Sequence, residues 1–111
     1  MLLNRSAIIL IPKQPYADWA NALDTDGPRF ELSEQDDHLT VFLGPERDTI
    51  EEIHRFVDKH FAYFFEALLE DWSLDESQWP ARRTRRMFHE WFDVRIHTMV
   101  EDTVDAPLEL E

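Results

Sequence analysis

The chain has 111 residues, no cysteine, and a formal net charge of -13 from 24 acidic against 11 basic side chains. That length suits one domain with a single core, and 43% hydrophobic and 13% aromatic residues can fill it. The acid excess argues against direct nucleic-acid binding, because phosphate repels it, and the missing thiols exclude disulfides, thiolate metal sites and cysteine nucleophiles.

Ser6 to Ile11 is a continuous apolar run that predicts a central strand covered on both faces. Its core, Ala7 to Ile11, is too short for a signal segment or a membrane span, so a cytoplasmic protein without membrane contact is expected. Pro12 ends the run. Pro15 opens a short helix through Leu23, with Tyr16, Trp19, Ala20 and Leu23 on one face. Asp24 to Gly27 reads as a turn. It lacks the ligand ladder and terminal Glu of a calcium loop. Phe30 to Asp37 is acidic and weakly patterned, with one helical turn expected near Ser33. Leu39 to Leu43 reads as a second strand, stopped by Gly44 and Pro45.

The longest predicted helix follows. Thr49 with Glu52 makes a capping box, and Asp48 with Glu51 is an equivalent choice. Ile50, Ile53, Val57, Phe61, Phe64 and Leu68 form its main stripe, which Phe56, Phe65, Leu69 and Trp72 widen. A stripe that broad calls for a sheet on one side and another helix on the other. Glu66, Glu70 and Asp71 sit near its C-terminus, where the helix dipole disfavours them. Ser73 with Glu76 suggests a further turn before Trp79.

Trp79 and Pro80 mark a boundary, and the pattern predicts a helix from Pro80. Ala81, Thr84, Met87, Phe88 and Trp91 share its apolar face, opposite Arg82, Arg86, His89 and Asp93. Val94, Ile96, Thr98 and Val100 then alternate with Arg95, His97, Met99 and Glu101, the period of a half-buried strand. A helix continuing through this segment is the competing reading. Arg82, Arg83, Arg85 and Arg86 crowd the predicted helix start, against the dipole. Nearby carboxylates or a bound anion would offset them, and the sequence leaves open which. Beyond Thr103 an acidic tail is expected. The element order predicts an α+β domain over residues 1-103, β-α-β-α-α-β, with about three strands and helices mainly on one face. Arg95, His97 and Glu101 would blunt one sheet edge. A homodimer that pairs or covers an edge is compatible with this but not required by it.

Asn4-Arg5-Ser6-Ala7, Pro12-Lys13-Gln14-Pro15 with Trp19, and Trp79-Pro80 with Arg83, Phe88, Trp91-Phe92-Asp93 and His97 carry a family pattern. Over Asn4 to Asp102 the chain resembles a small group of bacterial conserved hypothetical proteins of about this length. The resemblance implies a free-standing bacterial domain and supplies no activity, catalytic residue or binding residue.

No nucleophile elbow, Walker loop, HExxH or dinucleotide fingerprint occurs, so no catalytic residue, cofactor or metal is assigned. His54 and His60 are six positions apart and point in different directions on a helix. His89 and His97, with Asp93 or Asp102, would hold a metal or shuttle a proton only if the turn at Phe92 and Asp93 brought them together. Arg5 or Lys13 at the ends of the first strand, with Arg83, Trp79, His89 and His97, are the candidate lining of a pocket for an anionic ligand. The competing structural role has Arg83 tie the Trp79-Pro80 loop to carboxylates such as Asp71 or Glu76. The leading functional expectation is a noncatalytic protein-binding or adaptor domain using an acidic, aromatic surface. The alternatives are a small enzyme or anionic-ligand sensor at Arg83, His89 and His97, and a nucleic-acid mimic. An adaptor should display an exposed apolar patch flanked by acid.

Overall fold

The computed structural model describes residues 1–111, the side chain of Asp37 excepted. The elements run β1 (Arg5–Pro12), α1 (Gln14–Leu23), β2 (Val41–Pro45), α2 (Ile50–Lys59), α3 (Phe61–Trp72), α4 (Arg85–Trp91) and β3 (Phe92–His97), with short 3-10 turns at Leu32–Glu34, Asp36–His38 and Glu76–Gln78. The three strands form one antiparallel sheet in the order β2-β1-β3. This is the α+β fold that the element order predicts. No helix among the described residues is long and apolar enough to cross a membrane.

The β-branched and aliphatic run of the first strand does take the centre of the sheet. Its register pairs Ile8 with Phe42 on one side and with Ile96 on the other. These three and Leu10 face the helices, and Ile8 and Leu10 are buried with Tyr16, Ile53, Val57, Phe65, Leu69, Phe88 and Phe92 in one core. The aromatic-rich C-terminal third therefore folds back as helix then strand, and Phe88 is 0% exposed. Along β3 the alternation holds, with Phe92 and Ile96 buried and Asp93, Arg95 and His97 exposed. The ladder to β1 ends at His97 and resumes at the bridge between Leu2 and Glu101. One more residue lies on the N-terminal side of that gap, the geometry of a bulge.

The expectation that the first strand is covered on both faces is corrected. Every second residue, Ala7, Ile9 and Ile11, points to the face away from the core, in register with Leu43, Val41, Arg95 and His97. Val41 and Leu43 there are 55% and 54% exposed. The apolar run marks a strand flanked on both sides by neighbouring strands, and side-chain shielding within the sheet half-buries Ile9 and Ile11 without a second layer.

Local signals place most helix starts. Pro15 lies in the first turn of α1 and Thr49 caps α2, its hydroxyl accepting from the Glu52 amide at 3.2 Å. Asp24 closes the turn by accepting from the amides of Asp26 and Gly27, and a Cβ on Gly27 would lie 2.6 Å from the Asp24 carboxylate. Gly44 meets a similar limit from Ile8 and Ser6 across the strand pair.

Two predicted helices differ. The long helix is broken at His60, whose amide is shared by the Phe56 and Val57 carbonyls. In one straight helix the fully buried Ile53, Val57, Phe65 and Leu69 would spread over about 160°. The break lets both halves aim at one core. The last helix starts at Arg85 rather than Pro80, with Thr84 as its cap accepting from the Met87 amide. Side-chain bonds hold residues 79–83 off the helix. Trp79 donates to the Ser73 carbonyl, and Arg83 donates to Pro80 O and to Glu66. Only Arg85 and Arg86 then occupy the first helical turn, and Arg86 pairs with Glu90 one turn on at 3.2 Å.

Candidate functional site

The C-terminal ends of α1 and α3 come together beside the segment that links α1 to β2. Indole N–H groups stitch them. Trp72 donates to the Ala20 carbonyl at 3.0 Å, and Trp19 donates to the Gln78 carbonyl at 3.0 Å. The Tyr16 hydroxyl donates to Leu68 O. Asn21 exchanges two hydrogen bonds with the Phe30 backbone, which sets the Phe30 ring edge-on to Trp72 at 5.5 Å. A buried N–H or O–H needs such a partner, so the aromatic residues fix this junction by their polar ends as well as by their rings.

Asp71 and Trp72 form a ridge between two cavities. One, of about 600 Å³, is lined by Ala20, Leu23, Asp24, Pro28, Ser73 and Gln78 in addition to the ridge. The other, of about 440 Å³, has Tyr16, Phe30 and Leu68 as its apolar wall and Gln35, His38 and Thr40 as its polar one. Among the described residues, neither is lined by Lys or Arg. Helix carbonyl ends carry partial negative charge, and neither α1 nor α3 has a basic residue in its last turn to offset it. Partial burial, and then the neighbouring Glu70 charge, push the Asp71 carboxyl above the ordinary carboxylate value. Burial, and then Asp71, push the Tyr16 phenol up as well. The groove is thus a negatively polarised, aromatic-walled recess, chemistry that suits an ammonium or guanidinium group.

The six residues expected to line a pocket fall into separate groups. Arg83 lies 2.8 Å from Glu66 of α3, and its guanidinium carbon is 5.7 Å from the Trp79 ring centroid. These two residues do meet, as a clamp on the loop rather than as an open wall. The carboxylate partner is Glu66, not Asp71 or Glu76. Lys13 donates to the His89 carbonyl at 3.0 Å and approaches Asp93 at 3.8 Å. The His89 ring is 2.6 Å from Asp58 of α2. His97 pairs with Ala7 near the start of β1, five residues from Pro12 and so roughly 16 Å along the strand from the Lys13 and His89 end. Arg5, at that same far end, bonds to Asn4. His89 and His97 therefore do not converge, because the length of β3 from Phe92 to His97 separates them.

The groove at Asp71 and Trp72 was not singled out as a site by the sequence. Its one local trace is the carboxylate at a helix C-terminus, against the dipole. The juxtaposition with Asp24, Phe30 and His38 comes from chain segments dozens of residues apart and has no local signature. Comparison of the chain with family models, with curated proteins and with solved structures finds no match.

Proposed function

We propose that the protein is a noncatalytic protein-binding domain of a bacterial cytoplasm, which takes a basic segment of a protein partner into the groove at Asp71 and Trp72. The observation that carries this reading is the ridge itself. A carboxylate and an indole stand between two cavities that, among the described residues, have no lining Lys or Arg, where two helix C-termini end. A Lys or Arg side chain laid against Trp72 would meet the ring face, the Asp71 carboxylate and the helix carbonyl ends together. The net charge of -13 would speed its approach and make binding weaken with salt.

The test is an array of short peptides varied in Lys and Arg content, followed by titration of the best binder. Basic peptides should bind, with affinity falling about tenfold or more for Asp71→Asn, as for other charge pairs truncated on one side, and falling again as salt rises. Equal binding of acidic and basic peptides, or an unchanged affinity for Asp71→Asn, would remove the reading.

A further inference from the structure

The sheet has two edges of different character. The β3 edge carries Asp93, Arg95 and His97, all exposed. The β2 edge carries no charged residue from Val41 to Pro45, and β2 pairs with β1 alone. Exposed strand edges are normally blunted by charge, bulges or covering elements. Here the edge is instead surrounded by apolar surface. Val41 and Leu43 are more than half exposed, and Tyr63 of α3 is 64% exposed. A cavity of about 460 Å³ opens at the same place, walled by Phe42, Phe56, His60 and Phe64.

We infer that β2 is a dimer interface, pairing antiparallel with β2 of a second copy to give a continuous six-stranded sheet. Two arguments choose a second copy over another occupant. An antiparallel strand pair about a two-fold axis is self-complementary and closes at two, so with the axis at Phe42 the Val41 of each copy would face the Leu43 of the other. Charge points the same way. On a chain of net charge -13, the strand and its cavity are lined, among the described residues, without a carboxylate, so an equally acidic copy can approach there. A basic partner has no attraction to this patch. Area sets the strength. The three exposed side chains, the backbone edge and the cavity rim offer on the order of 500 Å² per copy, below the roughly 800 Å² of a standard interface. The dimer is accordingly weak, with a dissociation constant in the micromolar range. Pro45 has no N–H to donate, which confines the pairing to the segment before it.

The inference is independent of the groove at Asp71, which lies at the helix ends. Sedimentation velocity on the full chain, from about 1 to 300 µM, tests it. The expected result is a monomer–dimer equilibrium that tightens several-fold as salt screens the mutual repulsion, the reverse of the salt response of the groove. Leu43→Lys should abolish the dimer while circular dichroism and Tm stay unchanged, because its side chain is more than half exposed. Arg95→Ala at the opposite edge should leave the dimer intact. In the unsubstituted protein, amide exchange at Val41 to Gly44 should slow as concentration rises, a readout that needs no variant. A monomer at every concentration overturns the inference, whether the edge stays open or the chain's own tail covers it. So does a dimer that survives Leu43→Lys, or growth into open-ended polymers.

Discussion

Replacing Phe88 by Ala removes the side chain that joins the C-terminal third to the rest of the core. Its ring is 0% exposed, with centroids 5.5 Å from Phe92, 5.9 Å from Phe65 and 6.5 Å from Phe61. Burying a phenyl and then deleting it costs about 3–5 kcal/mol, as lost transfer energy plus the cavity left behind. The upper half of that range applies, because three ring contacts are lost together and aromatic pairs add about 0.5–1.5 kcal/mol beyond area. A domain of 111 residues has a total stability of roughly 6–16 kcal/mol, so the variant keeps only part of it. With an unfolding entropy of about 2.1 cal/mol/K per residue, each kcal/mol moves Tm by about 4 °C, and a loss of 4 kcal/mol lowers it by about 17 °C. Urea unfolding followed by tryptophan fluorescence and by circular dichroism gives the number directly, provided the two transitions coincide. Phe88→Leu, which keeps much of the volume, should lose less than half as much. A loss below about 1 kcal/mol for Phe88→Ala, the scale of a surface change, would mean that the ring is not the keystone of this interior.

Two further perturbations separate local from tertiary effects. Thr84→Ala removes the cap of α4 and should cost about 1 kcal/mol in the same urea assay; no loss would mean that the helix does not begin there. Asp71→Asn should raise stability at pH 7, because the folded state holds this carboxyl above its ordinary value of 3.8. Above the raised value the native state carries a charge it disfavours. As pH falls through that value the carboxylate takes up a proton more readily in the folded chain, and the advantage of Asn shrinks, vanishing below about pH 3.8 where both states are protonated. Tm measured from pH 3 to 8 on both proteins checks the sign, and a destabilised Asp71→Asn at neutral pH would contradict it.

Short-range covalent and steric preferences made the secondary elements legible. The aliphatic run of Ser6 to Ile11, Pro15, the Asp24 turn, the Thr49 cap and the two-residue period after Phe92 each act within a few positions of chain. They determine a strand, a helix start, a turn, a cap and a strand almost regardless of what packs on them. The core followed from the same patterns, since Phe88, Phe65 and Ile8 stand at the right phase of their periods. The tertiary structure decided what those signals leave free. Pro80 permits a helix, but Trp79, Arg83 and Glu66 hold the loop in place and Thr84 opens the helix instead. Nothing in the sequence near His60 forbids a straight helix; the need to point Ile53 and Leu69 at one interior bends it. An apolar central strand is the same whether one face is covered or two, and only the position of the helices leaves Val41 and Leu43 in water. The groove at Asp71 and the bare β2 edge are likewise products of convergence. They join segments far apart along the chain, and proximity of that kind is set by the sum of many packing contacts rather than by any one residue.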